Sequence, residues 1–301
     1  MDGLKRKHLR KLIDRYRVTS GVGFKLKHHD PADTAGDLID KEQSETLLAD
    51  GVRRLSALQE MLYPQDSWAL LCLFQAMDAA GKDGTIKHVM SGVNPQGVAV
   101  ANFKQPGPEE LSHDFLWRVM RHLPKRGQIG IFNRSHYEEV LAVRIHPEFL
   151  ARQHLPAELD GPKIWKHRLE DIGNFEHYLS RQGFLVVKFF LHLSKEEQRR
   201  RFLARLDTPE KNWKFSAADI AERAHWDEYQ RAYQEAIGGT AAPHAPWYVV
   251  PADHKWFTRL VVVEALVAAL EDLNLKTPVV DDADKARLAE ARHELENEGG
   301  S

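Results

Sequence analysis

Residues 69–90 join three kinds of sequence in an order that few folds contain. The stretch 69–74 is entirely apolar, mostly small residues follow it as far as Gly81, and Lys82 then opens a helical pattern. A buried strand that runs through a small-residue turn and a Gly-Lys pair into a helix is typical of a phosphate-binding loop. In such a loop, backbone N–H groups and a lysine surround a phosphate. The segment therefore predicts an α/β fold with an anion site at the end of this strand.

The match to the usual phosphate-loop pattern is incomplete. Ala76 stands where the pattern has its first glycine, and Asp83 follows the lysine where a metal-binding Ser or Thr is usual. The alternative is a plain strand-to-helix turn with a surface lysine. Asp78 favours the phosphate site, because a carboxylate inside an anion-binding turn repels phosphate unless a cation lies between them. We therefore predict that Asp78 is a ligand of Mg²⁺, the alternative being that it only caps the turn. The other loop residues predicted to contact phosphate are Ala79, Ala80, Gly81, Lys82, Asp83, Gly84 and Thr85.

Short apolar runs alternate with helical patterns from residue 68 to about residue 273. This alternation indicates βαβ units, in which helices cover both faces of a parallel sheet. We therefore predict a five-stranded parallel sheet flanked by helices. The predicted strands are 68–75, 97–103, 128–132, 184–193 and 247–251.

The sequence on either side of this body has a different composition. Residues 1–65 form a basic arm and then a helix over 41–62, whose leucines recur at three- and four-residue steps. Pro64 is predicted to end this helix. We predict an N-terminal helical extension over 1–65, the main domain over 66–275 and an acidic tail over 276–301.

Several classes of protein are excluded by composition. The longest apolar run, residues 260–270, is interrupted by Glu264 and is too short to cross a bilayer. No apolar segment follows the basic N-terminus, so we expect no secretory signal. Cys72 is the single cysteine, which fits a reducing cytoplasm. The net charge of −2 argues against a general nucleic-acid binder. Basic and acidic residues are nevertheless clustered in different parts of the chain. The basic clusters are either solvated helix faces or a surface that binds a polyanion.

A polar cluster follows the third predicted strand, at the edge where α/β sheets bind ligands. Arg134 is predicted to clamp phosphate, and Glu138 and Glu139 to hold a metal ion or the amino group of a nucleotide. The alternative for the two glutamates is a purely structural role, since acids in a first helical turn stabilise the helix dipole by roughly 0.3–1 kcal/mol. His136 has no partner histidine at ligand spacing, so we expect it to be structural.

An arginine-rich helix is predicted from residue 195, because Ser194 and Glu197 form a capping-box pattern. Pro209 is predicted to end it. We interpret residues 195–225 as a lid that closes over transferring phosphates and stabilises their charge. The cations assigned to it are Arg201, Arg205, Lys211 and Lys214.

Seven segments of the chain, in order, resemble the family 2 polyphosphate kinases, and the resemblance runs from about residue 35 to residue 273. They are MDAAGKDG at 77–84, GVNP at 92–95, FLWR at 115–118, FNRSHYE at 132–138, KFFLHLS at 188–194, NWKF at 212–215 and APWY at 245–248. The resemblance implies a P-loop kinase-like sheet with a helical lid. It also implies an enzyme that phosphorylates nucleotides from inorganic polyphosphate with Mg²⁺ or Mn²⁺. The segment 133–138 resembles the subgroup that acts on both AMP and ADP.

The resemblance also implies roles for single residues. Asp78 and Glu139 would bind the metal, and Lys82 and Arg134 would stabilise the transferring phosphate. Glu139 departs from that subgroup, which has an aspartate there, and its longer side chain moves the carboxylate by about one methylene. We expect inorganic polyphosphate and adenine nucleotides as partners, no nucleic acid or membrane, and a homo-oligomer, either a dimer or a tetramer. The residues expected to bind the nucleotide are Asn94, Arg118, Asn133 and Glu138, of which Glu138 is predicted to accept a hydrogen bond from the adenine amino group.

Two other functions are compatible with parts of this pattern. An NTP-dependent nucleoside or nucleotide kinase would share the fold and the loop but not the phosphate donor. A non-catalytic polyanion-binding protein would need the basic residues but not Asp78 in the phosphate turn.

Overall fold

The computed structural model describes residues 3–36, 39–214, 217–276 and 282–298. In these ranges, six strands form one sheet in the order β1-β6-β5-β2-β4-β3, and β2 to β6 run parallel. The α/β fold predicted from the sequence is confirmed. The strands are β1 Arg17–Val18, β2 Ala69–Ala76, β3 Val98–Asn102, β4 Ile129–Asn133, β5 Phe184–His192 and β6 Trp247–Pro251.

The prediction of five strands is corrected to six. The additional strand, β1, pairs antiparallel with β6 through Arg17 opposite Tyr248 and Val18 opposite Trp247. Two residues are too few to show a periodicity of two, so β1 leaves no pattern in the sequence.

Helices cover both faces of the sheet. In the described ranges they are α1 Gly3–Ile13, α2 Lys41–Gln65, α3 Lys82–Val89, α4 Pro108–Leu111, α5 Trp117–Met120, α6 Ala142–Ile145, α7 Pro147–Ala151, α8 Ile164–Arg181, α9 Lys195–Leu206, α10 Ala217–Ala224, α11 Trp226–Thr240, α12 Lys255–Glu271 and α13 Asp282–Asn297. The helix α2 continues past Pro64, which lies in its last turn, and ends at Gln65. Within the described ranges, no helix is both long and apolar enough to cross a bilayer.

The buried strand β2 divides the core into two layers. Leu70, Cys72 and Phe74 pack in the layer that contains α1, α2 and α12, whereas Leu71 and Leu73 pack in the layer that contains α8 and α11. This alternation follows from the pleat, which sends successive side chains to opposite faces. Because both faces are covered, the polar residues that follow β2 and β4 lie at one edge of the sheet, beside each other.

The helices α2 and α12 are joined by a partly buried ion pair that tests this packing. Arg54 donates to Glu271 at 2.9 Å and to Glu264 at 3.1 Å, and Glu264 is 3% exposed. We expect Arg54→Lys to lower the free energy of unfolding by about 1.5 kcal/mol, because an ammonium cannot reach both carboxylates and one charged hydrogen bond is lost. Urea denaturation measures the change. The matched control is Arg53→Lys on the exposed face of α2, which should stay within about 0.5 kcal/mol of wild type; equal effects of the two changes would contradict the prediction.

Candidate active site

The loop between β2 and α3 folds into a tight turn around its own backbone. Ala79 and Gly81 both have left-handed backbone conformations, with φ of 63° and 99°. Glycine suits such a position because it has no Cβ to clash with the backbone. The Lys82 ammonium donates to the Ala76 carbonyl at 2.9 Å, across the mouth of the turn. Burial, together with the nearby Arg134 guanidinium, lowers the pKa of Lys82.

Two adjoining cavities open at this edge of the sheet. The first, which we call the phosphate groove, has a volume of about 1010 Å³ and is lined by loop residues 78–84, Asn133 and Arg205. The second, which we call the aromatic cavity, has a volume of about 320 Å³ and lies beyond the end of β4. Asp78 and Arg134 line both cavities. The aromatic cavity is lined by the apolar side chains of Phe103, Phe115, Val119 and Phe149 and by the polar ones of Arg118, Glu138 and Glu139.

An ionic triad stands at the junction of the two cavities. Arg134 Nη2 lies 3.2 Å from Asp78 Oδ1, and its Nη1 lies 3.7 Å from Glu138 Oε2. The Glu138 carboxylate, with a smaller contribution from Asp78, raises the pKa of Arg134. Burial raises the pKa of Glu138, and Arg134 opposes that shift. The structure thus brings together Asp78, Arg134 and Glu138, all three predicted from the sequence. The positively charged side chain of Arg134 lies where the two cavities meet.

The Asp83 carboxylate, which replaces the usual Ser or Thr, accepts a hydrogen bond from Asn133 Nδ2 at 2.7 Å. This bond ties the end of β4 to the first turn of α3. Both side chains lie at the phosphate groove. Thr85, predicted to contact phosphate, is instead buried in α3 and is not among the residues that line the phosphate groove.

The structure does not present Glu139 as a free metal ligand, contrary to the prediction. Glu139 is buried, and its Oε2 accepts hydrogen bonds from Gln153 at 2.8 Å and from Arg168. The Arg168 guanidinium in turn lies 5.0 Å from the centre of the Phe115 ring. Glu139 is therefore part of a buried ion pair in the wall of the aromatic cavity. Arg168 lies 29 positions further along the chain, so no local pattern could reveal this partner.

The resemblance to the family 2 polyphosphate kinases implies a divalent metal, and Asp78 is the residue that fits one. Its carboxylate is 31% exposed and lies within the phosphate turn. In the described part of the chain, no group of three or more His, Cys, Asp or Glu is arranged to hold a metal ion. Mg²⁺ sites commonly use one or two carboxylates and take their other ligands from water and substrate phosphates.

The two arginines assigned to the lid differ in how deeply they are buried. Arg205 lines the phosphate groove, with Nη1 3.8 Å from Asp219 Oδ2. Arg201, predicted to bind the phosphate chain, is instead buried beneath the loop, and its Nε donates to Glu197 at 2.7 Å. The side chains of Lys211 and Lys214 lie outside the described part of the structure. The terminal nitrogens of Arg201 donate to four backbone carbonyls, those of Ala79 at 3.0 Å, Ala80 at 2.9 Å, Ala252 at 2.6 Å and Asp253 at 3.1 Å.

The two remaining nucleotide candidates are separated by the sheet. Arg118 lies at the aromatic cavity, where it donates to the Lys104 carbonyl at 2.9 Å and lies 5.1 Å from the centre of the Phe103 ring. Asn94, by contrast, accepts a hydrogen bond from Gln96 N immediately before β3. It therefore lies at the amino edge of the parallel sheet, opposite the phosphate loop, because α3 carries the chain from one edge to the other. The structure does not bring Asn94 to the site.

The lid also contributes a wall to the aromatic cavity, which was not predicted from the sequence. Glu222, on α10, accepts a hydrogen bond from Tyr229 at 2.8 Å and lies 2.8 Å from His146 Nε2. All three residues line the aromatic cavity. The contact of Glu222 with His146 left no sign in the sequence, because it joins residues 76 positions apart, whereas Tyr229 lies only seven positions from Glu222.

Comparison with known proteins agrees with this geometry. The family model of polyphosphate kinase 2 matches residues 38–278. An ADP-polyphosphate phosphotransferase of Rhodopseudomonas palustris is 52% identical over 256 residues, which are 85% of this chain and 89% of the relative. An AMP/ADP-polyphosphate phosphotransferase of Meiothermus ruber is 44% identical over 278 residues, which are 92% of this chain and all of the relative.

A solved structure has the same fold. The crystal structure of polyphosphate kinase 2 from Arthrobacter aurescens superposes with a TM-score of 0.83 at 41% sequence identity, and the match covers 91% of this chain and 95% of that one. The family model spans most of the chain, including the phosphate loop, the Arg134 triad and the lid. The chain therefore belongs to the polyphosphate kinase 2 family.

Proposed function

We propose that this protein is a polyphosphate-dependent nucleotide kinase that transfers the terminal phosphate of inorganic polyphosphate to AMP and ADP. The observation that carries the proposal is the position of Asp78 and Arg134, which line both the phosphate groove and the aromatic cavity. A phosphate chain in the groove and a nucleotide in the cavity would meet at these two side chains. The names of the two relatives, which act with polyphosphate on ADP or on AMP and ADP, support this choice of substrates.

The phosphate groove suits the donor. It is lined by loop residues 78–84, and Lys82 and Arg205 supply positive charge. The Lys82 ammonium, which donates to the Ala76 carbonyl in this structure, can turn towards a phosphate oxygen when the chain enters. Charge neutralisation by such fixed cations is the main contribution that a protein makes to phosphoryl transfer.

The aromatic cavity suits the acceptor. Its phenylalanine side chains offer apolar surface to a base, and Arg118 and Arg134 offer cations to the nucleotide phosphates. An oxygen of the nucleotide's terminal phosphate attacks the terminal phosphorus of the polyphosphate chain in line. The phosphoanhydride bond to the penultimate phosphate breaks and the chain leaves one phosphate shorter, so no nucleophilic side chain is required. Arg134 holds both reacting groups in place, which removes much of the entropic barrier.

A divalent cation, Mg²⁺ or Mn²⁺, would supply further charge neutralisation on the phosphates, and Asp78 is the residue that would hold it. Asp78 also orients Arg134 through the contact of 3.2 Å.

The proposed function is tested by incubating the protein with polyphosphate, Mg²⁺ and either AMP or ADP, and separating the nucleotides by chromatography. Formation of ADP from AMP and of ATP from ADP, dependent on polyphosphate, is the expected result. A parallel reaction with ATP as the donor, an acceptor nucleoside or nucleotide and no polyphosphate is the control. Turnover in that reaction alone would instead identify an NTP-dependent kinase.

The role of Glu138 separates two mechanisms. The sequence predicts that Glu138 accepts a hydrogen bond from the adenine amino group. In the structure, however, its Oε2 lies near Arg134, and its Oε1 accepts a hydrogen bond from the Gln75 amide at 3.0 Å. We expect Glu138→Gln to lower kcat/KM by about tenfold for AMP and GMP alike, because Arg134 loses a charged partner. Steady-state kinetics with both nucleotides measure the ratio. A change in the AMP/GMP ratio would instead assign base recognition to Glu138.

A further inference from the structure

A fully buried lysine lies beneath residues 134–139, which we call the site loop. Lys188, on β5, is 0% exposed. Its ammonium donates to Glu176 Oε2 at 2.5 Å, to Tyr137 Oη at 3.1 Å and to the Thr240 carbonyl at 2.9 Å. All three hydrogens of the ammonium therefore have partners. None of these four residues lines either cavity of the active site.

Tyr137 connects this lysine to the site loop. Its side chain is also 0% exposed, and its hydroxyl lies 2.8 Å from Glu176 Oε1 and 2.8 Å from Thr240 Oγ1. Trp247 donates to the same Thr240 oxygen at 2.9 Å, and its ring packs edge-on against Tyr137 at 4.7 Å. We call Tyr137, Glu176, Lys188, Thr240 and Trp247 the buried network.

A contribution to the free energy of unfolding does not explain the presence of the buried network. A buried ion pair loses most of its Coulombic gain to desolvation, and well-packed apolar residues in its place are often as stable or more so. What the pair does provide is a fixed direction for each hydrogen bond. Side chains from α8, α11 and β5 converge on one hydroxyl, and that hydroxyl belongs to the site loop.

The site loop needs such a fixed point. Its first residue, Arg134, has a left-handed backbone with φ of 62°, which a side chain with a Cβ adopts only when the surroundings enforce it. Arg134 precedes Tyr137 by three residues, and Glu138 follows it directly. Since the Tyr137 ring is anchored in the core, it fixes the backbone from which both charged side chains reach the junction of the two cavities.

We propose that Tyr137 is a positioning residue for phosphoryl transfer, and that the Lys188–Glu176 ion pair exists to hold its hydroxyl. This proposal deepens the proposed function and rests on it for the roles of Arg134 and Glu138. Tyr137 acts through the backbone of the site loop and does not touch the substrates.

The test compares Tyr137→Phe with Tyr16→Phe. Tyr16 is a matched control because it is also buried, and its hydroxyl donates to Asp33 at 2.7 Å in the opposite core layer. We expect Tyr137→Phe to lower kcat by about 10- to 100-fold, with the KM for the nucleotide changed less than about threefold, since misplaced groups lose mainly transition-state stabilisation. Tyr16→Phe should keep the wild-type kcat even if its melting temperature falls by as much as that of Tyr137→Phe.

A second readout does not depend on activity. Amide hydrogen exchange of a peptide that covers residues 133–141 should be faster in Tyr137→Phe than in wild type, and unchanged in Tyr16→Phe. Thr240→Val removes one partner of the Tyr137 hydroxyl and also the acceptor of Trp247. It should show the same changes to a smaller degree and serves if Tyr137→Phe does not fold. Wild-type exchange at the site loop, or wild-type kcat, in a folded Tyr137→Phe protein would overturn the proposal. A wild-type enzyme without polyphosphate-dependent activity would refute the proposed function, while the exchange data would still decide whether Tyr137 fixes the loop.

Discussion

Asp78→Asn is expected to lower kcat by about 10²- to 10³-fold and to leave the fold intact. The substitution keeps the volume of the side chain but removes its charge from the phosphate turn. The protein then loses the residue that fits the metal ion and also the carboxylate that lies 3.2 Å from Arg134. Removal of one such electrostatic contribution typically costs a factor of this size.

The measurement is steady-state kinetics with polyphosphate and ADP at several Mg²⁺ concentrations, together with thermal unfolding. Asp78→Asn should require more Mg²⁺ for half-maximal activity, and its melting temperature should stay within about 2 °C of wild type, which corresponds to roughly 1 kcal/mol for a chain of this length. The matched control is Asp171→Asn, on the exposed side of α8, for which we expect wild-type kinetics. A near wild-type kcat for Asp78→Asn would remove this carboxylate from the mechanism.

The parts of the fold that were predicted correctly are those with strong local patterns. The strands β2 and β5 are buried on both faces, so they leave mostly apolar runs, and their predicted bounds agree with the structure within one residue. The phosphate turn was found because Gly81 and Lys82 stand at a fixed distance from the end of β2. In both cases the pattern that predicts the structure lies in residues that are close in the sequence.

The parts that were missed depend on contacts between distant segments. The spacing of Glu138 and Glu139 indicated two acids at the site, but neighbouring residues point in different directions, and only the packed structure shows which one faces Arg134. Glu139 meets Arg168 instead, and this partner comes from α8. Asn94 was assigned to the site because it lies in one of the segments that resemble the family. The topology, however, carries it to the opposite edge of the sheet.

The lid shows most clearly why spacing alone was insufficient. Arg201 and Arg205 are four residues apart and share one side of α9, as predicted. The depth of each side chain, however, depends on how α9 lies against the phosphate loop. Arg201 is 8% exposed and reaches the loop carbonyls from below, whereas Arg205, one turn later, extends into the phosphate groove. The two arginines should therefore respond differently to the same substitution.

We expect Arg201→Lys to lower the free energy of unfolding by about 2–4 kcal/mol and kcat by about 100-fold. A lysine keeps the charge but cannot span the carbonyls on both sides of the guanidinium, so at least one buried pair would lose its hydrogen bonds, at about 1–3 kcal/mol for each group. The loop carbonyls of Ala79 and Ala80 are among them, and a shift of this backbone would displace the loop that we propose to bind the polyphosphate chain.

Arg205→Lys is the matched comparison, because it keeps the charge at a position that faces the groove. It should leave stability within about 0.5 kcal/mol of wild type and change the KM for polyphosphate by less than about threefold. Arg205→Gln should raise that KM and flatten its dependence on salt, since one contact with the polyanion is lost. Urea denaturation and kinetics between low and high salt measure all three variants. If Arg201→Lys had wild-type stability and raised only the KM for polyphosphate, Arg201 would contact the phosphate chain directly, and the loop would be held in place by Gln198, which donates to the Asp78 carbonyl at 2.9 Å.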